Sequence, residues 1–530
     1  MGLGHVSDPL WSWLLIGLYV LVVAGIAWRA RRASSMESYS VGSRTVSPVA
    51  VGMSLAASLT SAATFVINPG LIYLYGWAGV LGYAVAAPLG IFLGLIVFSK
   101  SFRRIGDRTR VLTVPQWIGD RFGDRRLALW FSVLSLLQVS FLVLIVVGLT
   151  VVLTQALAIP SWLALGGIVV FTFAYILLGG AGTHVLTNTM QAGIMIVVAL
   201  MFLASGLQYF TEGVGGFFDR LAGVGPHFAD ATNPDSLLFR DLFEVLVANF
   251  VVGVAIILQP HVISKSLYLR DERDVNTYLT TAVVVASLFF AVLVTGLFAR
   301  LSLSGQVLPP DVVMATYMVS EFSSFARAVV VLGLLAAGFS TLEGILVALS
   351  SIFANDFLRV AMGGGRRDSA EWKARSLVYA RWFLVALAPV TVALSWKQLV
   401  DPSLSVAIFA QNGVYGLFAA TFVPILLGVF TRSTARGWML AASATALVVH
   451  FGMYYGEITL YHNNPAVPAT CAIGASLVVG LLGLALGPRE HERLGTGEAG
   501  SAPRAAGAPA APVQPRVAAG APRAAGEGAS

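Results

Sequence analysis

Ser54-Leu55-Ala56-Ala57-Ser58-Leu59-Thr60-Ser61-Ala62-Ala63-Thr64-Phe65-Val66-Ile67-Asn68-Pro69-Gly70 is the most unusual stretch of this 530-residue chain. It lies inside an apolar run, 47–75, that exceeds the roughly 20 residues needed to cross a bilayer. Yet five hydroxyls (Ser54, Ser58, Thr60, Ser61 and Thr64) crowd its centre, and Asn68-Pro69-Gly70 punctuates it. Pro69 removes a donor and strains the preceding turn, while Gly70 tolerates unusual backbone angles. Such a helix is expected to be partly unwound, with free carbonyls facing a cavity. The alternative is small-residue helix packing, with each hydroxyl bonded back to a carbonyl one turn earlier.

The rest of the chain sets the frame for that stretch. Hydrophobic residues make up 57% and charged residues 11%, against 45–50% and about 25% in soluble domains. The balance excludes an ordinary soluble enzyme, a disordered chain and a collagen-like fibre. Uninterrupted apolar runs also exclude an outer-membrane barrel, whose strands alternate over about ten residues. Breaks at charged, Gly/Pro and Asn/Asp clusters give thirteen spans. They lie at 10–28, 47–75, 77–99, 127–156, 161–180, 189–210, 242–263, 279–299, 324–357, 377–396, 403–429, 437–455 and 466–486. The chain therefore reads as an all-α polytopic membrane protein.

Charge placement gives the orientation. Of 33 Lys and Arg residues, 28 fall in alternate loops beginning after the first span, and five (Arg220, Arg240, Arg300, Arg327 and Lys397) face the other side. The asymmetry predicts a cell (inner) membrane protein with its N-terminus outside and C-terminus cytoplasmic. The net charge of +7 is then a topology signal whose partner is anionic membrane lipid, with no need of nucleic acid. No lysine or arginine is expected deep in any span. Residues 487–530, rich in Ala, Pro, Gly and Arg, are expected to form a disordered cytoplasmic tail beyond a transmembrane domain of 1–486. The single cysteine, Cys471, excludes an internal disulfide. No phosphate-binding loop, nucleophile elbow or zinc-protease motif is present, so no catalytic constellation supports an enzyme.

A second polar cluster lies in the ninth span: Ala336-Ala337-Gly338-Phe339-Ser340-Thr341-Leu342-Glu343-Gly344. On a helix the Ala337 carbonyl and the Ser340 hydroxyl converge on one side. Oxygen ligands of that kind suit a hard cation such as sodium. Glu343 lies near the same face. A carboxylate at that depth costs at least ~2.5 kcal/mol, so it is functional by default; a structural pairing with a nearby cation, or a protonated acid in a helix contact, is the alternative. Gln138, Asn249 and Gln411 either line a cavity or bond neighbouring helices.

These motifs resemble the sodium:solute symporter family over residues 10–486. The matching stretches are Tyr39-Ser40-Val41-Gly42-Ser43-Arg44, Ser61-Ala62-Ala63-Thr64-Phe65 with Pro69-Gly70 and Tyr73-Leu74-Tyr75-Gly76, Gly179-Gly180 with Thr187-Asn188-Thr189-Met190-Gln191, Gln259-Pro260-His261, and Ala337-Gly338-Phe339-Ser340-Thr341. Wording around Ser61–Gly76 and Val185–Gln191 is most similar to the pantothenate and monocarboxylate branch. The resemblance implies a LeuT-type fold of two inverted five-helix repeats, about 47–210 and 242–429, with one extra N-terminal and two extra C-terminal helices. It implies a sodium-coupled symporter importing a small organic solute of carboxylate type by alternating access. Sodium would be held by the carbonyls of Ala57, Thr60 and Ala337 and the side chains of Ser340 and Thr341. Solute would lie against Ser61, Thr64 and Phe65, with Gln138, Asn249 and Gln411 as further candidates. Two departures stand out. Asn188 occupies a position that is aspartate in many members, and Glu343 and Gly344 replace hydroxyls that serve a second sodium site in some. Asn188 and Glu343 are therefore a candidate second cation or proton site, with Glu343 taking over the lost charge. A proton-coupled symporter using Glu343 and an uncoupled solute or cation facilitator are the competing readings.

Overall fold

The computed structural model describes residues 9–30, 36–41, 46–109, 111–362, 370–401, 405–431 and 435–486. The expected tail, 487–530, and the Gly42-Ser43-Arg44 motif lie outside them. Among the described residues, eleven helices are long and apolar enough to cross a membrane. Two further helix pairs qualify only together. Pro48–Leu59 with Ala63–Tyr75 is bent by 52°, and Phe243–Ile256 with Pro260–Tyr268 by 58°. Counting each bent pair as one span gives thirteen, the expected number.

The second span breaks earlier than Asn68-Pro69-Gly70. Its inner half ends at Leu59, and Thr60 leaves helical geometry at φ −113°, ψ 89°. Pro69 sits in the first turn of Asn68–Tyr75, after a widened π-helical turn at Ala63–Ile67. Wider turns ahead of a proline relieve the clash of its ring with the carbonyl one turn back. Gly70 is needed for proximity and not for backbone freedom: a Cβ there would lie 1.9 Å from the Pro310 carbonyl oxygen. That carbonyl belongs to a short helix, Pro310–Glu321, seated over the outer end of the span.

The seventh span also departs from expectation. It runs past its expected end at 263: Pro260 opens a second half that continues through Tyr268 and is buried throughout. Arg103, buried at 2% exposure, donates to the carbonyls of Leu269 (3.1 Å) and Arg270 (2.8 Å) and caps this half. Bringing the third and seventh spans together requires small residues. A Cβ on Gly90 would meet the Phe250 oxygen at 2.2 Å, and one on Gly253 the Ala87 oxygen at 2.2 Å.

The fifth and sixth spans, Ser161–Gly179 and His184–Ser205, form one continuous helical run. Tyr175 and Gln191 nonetheless both bond Oε1 of Glu343, at 2.5 and 2.8 Å. On a straight helix they would stand about 24 Å apart, so the run folds back on itself between them. The ninth span, Ser324–Ala361, is the centre of the bundle, 89% buried across its apolar window. The first, tenth, twelfth and thirteenth are only 22–33% buried and lie at the periphery.

Candidate functional site

The break in the second span creates the site. The last intrahelical bond of the inner half runs from Thr60 N to the Ala56 carbonyl (3.2 Å), so the carbonyls of Ala57 and Ser58 have lost their helical donors. Hydroxyls from the ninth span reach them. Ser340 Oγ lies 2.8 Å from the Ala57 carbonyl and 2.8 Å from that of Ala337. Thr341 Oγ1 lies 3.5 Å from the carbonyls of Ser58 and Ala337. One hydroxyl proton cannot serve two carbonyls at once, so the cluster carries more acceptors than donors. It also sits at the negative end of a half-helix. A surplus of neutral oxygens there suits a hard monovalent cation. Ala57, Ala337, Ser340 and Thr341 thus converge, and all are fully buried. Thr60 stands at the break itself, with its hydroxyl turned back to the Ala56 carbonyl at 2.7 Å.

One turn inward, Glu343 is fully buried. Its carboxylate accepts from Tyr175 (2.5 Å), Thr187 (2.5 Å) and Gln191 (2.8 Å), with His184 Nδ1 at 3.3 Å. Asn188 does not touch it. Its amide donates to Ser58 Oγ (3.0 Å) and the Ser340 carbonyl (3.2 Å), joining the sixth span to the cation cluster. His184, Thr187, Asn188 and Gln191 share one helix face, and that period was the signal by which His184 and Gln191 could have been found in the sequence.

Lys265 corrects the sequence reading directly. Assigned to a cytoplasmic loop, it is fully buried in the second half of the seventh span. Its ammonium donates to Ser54 Oγ, the Ser54 carbonyl and Ser58 Oγ, each at 2.7 Å. Only the continuation of the span beyond Pro260 puts it there, and nothing local in the sequence announces that.

Beyond the break, a partly open pocket is lined by Ser61, Thr64, Asn249 and Gln411, four of the six solute candidates. Asn68, Tyr83, Gln259 and Tyr415 add polar groups, and Phe141, Phe290 and Phe418 an aromatic wall. No lining residue is charged. Phe65 is not among them: it is fully buried and packs edge-on against Phe289 at 5.7 Å. Gln138 is also turned away, with its amide 3.1 Å from His261 Nδ1; interhelical bonding, the alternative role, is the one observed.

Two broken helices meeting at mid-bundle, with surplus oxygens on one side of the break and a pocket lined by polar and aromatic groups on the other, define a membrane transporter and not an enzyme. The profile of the sodium:solute symporter family matches residues 39–444, and the chain belongs to that family. It is 25% identical to the sodium/pantothenate symporter of Haemophilus influenzae, over 90% of this chain and 96% of the relative. To the sodium/pantothenate symporter of Escherichia coli it is 26% identical, over 89% and 95%. Among solved structures, a Na+-coupled sialic acid symporter in a substrate-bound outward-open state aligns with a TM-score of 0.72 at 15% identity, covering 90% of this chain and 98% of that one. The fold is therefore the LeuT-type inverted repeat. The protein is a multi-pass membrane symporter that couples sodium to a small solute.

Proposed function

We propose that the chain imports a small carboxylate-bearing metabolite of pantothenate type, with sodium bound by Ala57, Ala337, Ser340 and Thr341 and with Thr60 at the break. The observation that carries this reading is the convergence of two orphaned carbonyls and two hydroxyls at the inner edge of a break whose outer edge opens on the cavity. A solute there touches the same broken helix that holds the ion, so each occupant orders the break for the other. Ser61, Thr64, Asn249 and Gln411 are the proposed solute contacts. An uncharged lining means that a solute carboxylate would be held by hydroxyl and amide donors, with its carbon skeleton against the aromatic wall. The positive-inside bias supports an outside N-terminus, so the half of the second span that carries Ala57 faces the cytoplasm. Glu343 supplies fixed negative charge beside the ion, the role vacated at Asn188. Its four donors favour a charge-balancing or proton-holding group over a direct sodium ligand, and proton coupling through it is the second reading.

The test is uptake of radiolabelled pantothenate into proteoliposomes under an inward sodium gradient against equal potassium. Sodium-dependent accumulation that Ser340→Ala lowers at least tenfold supports the reading. Accumulation driven equally by a proton gradient in potassium, and abolished by Glu343→Gln, would favour proton coupling. Downhill flux alone would leave an uncoupled facilitator.

A further inference from the structure

We propose that Lys265 is a resident cation that weakens sodium binding at the adjacent site and thereby sets the ion's affinity and ease of release. The inference rests on the sodium reading above and concerns a residue outside the ligand set.

Three observations carry it. First, the ammonium is saturated: its three N–H groups meet three oxygens, Ser54 Oγ, the Ser54 carbonyl and Ser58 Oγ, each at 2.7 Å. It is held in place and has no donor left for an acid. Second, it lies on the half-helix that contributes the ion's carbonyls, and one hydroxyl separates it from the ninth span. Ser58 Oγ accepts from Lys265 and, in turn, lies 3.4 Å from the Ser340 carbonyl. Third, the compensating charge stands apart. Glu343 is occupied by Tyr175, Thr187, Gln191 and His184, so the ammonium and carboxylate flank the cation cluster without forming a direct pair. The other titratable groups facing this region are His184 and His261, from the sixth and seventh spans.

The physical consequence follows from Coulomb's law. A sodium ion entering this cluster meets the field of Glu343 as attraction and that of Lys265 as repulsion. At an effective dielectric near 20, a like unit charge about 8 Å away raises a dissociation constant about 30-fold.

The experiment is thermal unfolding of the full-length protein in detergent, titrated with sodium chloride at constant total ionic strength made up with potassium chloride. Wild type, Lys265→Gln, Lys265→Met and Lys265→Arg are compared. The sodium concentration giving half the rise in melting temperature should fall about 30-fold in the Gln and Met variants and stay within about threefold in the Arg variant. Unchanged or weaker sodium binding in Gln and Met would overturn the proposal, as would tightening in Arg equal to theirs. Should the two neutral variants fail to fold, Arg remains decisive: retained charge must retain the wild-type midpoint, and a tenfold tightening refutes the idea. A wild type indifferent to sodium would sink both this inference and the sodium reading. A wild type that responds, beside neutral variants that match it, would sink this one alone.

Discussion

Ser340 is the residue on which the ion site turns, because its one proton lies between two carbonyls, that of Ala337 within its own helix and that of Ala57, orphaned by the break. A bound cation resolves that conflict, and removal of the hydroxyl removes the ligand as well as the donor. A ligand at 100 times its dissociation constant stabilises by about 2.7 kcal/mol. Ser340→Ala should abolish a sodium-specific rise in melting temperature of that origin, and Thr341→Ala, whose contacts are longer at 3.5 Å, should reduce it less. Equal shifts in sodium and potassium for the wild type would contradict the assignment. Glu343 poses a different question, since its donors are fixed by the fifth and sixth spans. Glu343→Gln leaves Lys265 without a compensating charge and sets an amide against four donors. Its cost should exceed that of Tyr175→Phe, which removes a single charge-assisted bond worth about 1.5–3 kcal/mol. Melting temperatures of the two variants in potassium check the ordering, and the reverse order would mean that Glu343 is protonated and uncoupled from Lys265.

At the scale of elements, the broken second span is clamped by its neighbours at both ends. Its outer half is held where the Gly70 site meets the Pro310 carbonyl and where Gly296 of the eighth span abuts the Pro69 carbonyl, at 1.9 and 2.3 Å for an added Cβ. Backbone cannot yield as a side chain can, so Gly70→Ala forces the short external helix off the span. A loss of about 1–3 kcal/mol or more is expected from such overpacking, against no change for Gly193→Ala, where a Cβ meets nothing within 4 Å. Parallel thermal melts of the two variants test it, and an unaffected Gly70→Ala protein would show that this contact is not part of the resting state. Gly76, at φ +76° beneath the Phe228 carbonyl, completes the same outer clamp. Here the segment 223–239 is tied to the span's end by the bond from Trp77 N to the Phe228 carbonyl (2.9 Å).

For the whole molecule, hydropathy determined a great deal without help. The thirteen spans and the two polar clusters follow from apolar run length and from polar groups placed where water is absent. That information is local, because every backbone group inside a bilayer must bond within its own helix, and only exceptions need explaining. The convergence of the Ala337 carbonyl and the Ser340 hydroxyl was legible from helix geometry, whereas Ala57 and Thr341 entered only through the family resemblance. Tertiary structure decided the rest. The second span breaks at Thr60 and not at Pro69 because a π-helical turn absorbs the proline, while ninth-span hydroxyls replace the donors lost at the break. Lys265 is buried, and the seventh span continues past Pro260, because Ser54 and Ser58 from a segment some 210 residues earlier satisfy the ammonium. Phe65 and Gln138 leave the solute list since packing against Phe289 and bonding to His261 turn them away. A charge in a sequence reads as surface until the fold supplies its partners, and those partners are long-range contacts that no local pattern encodes.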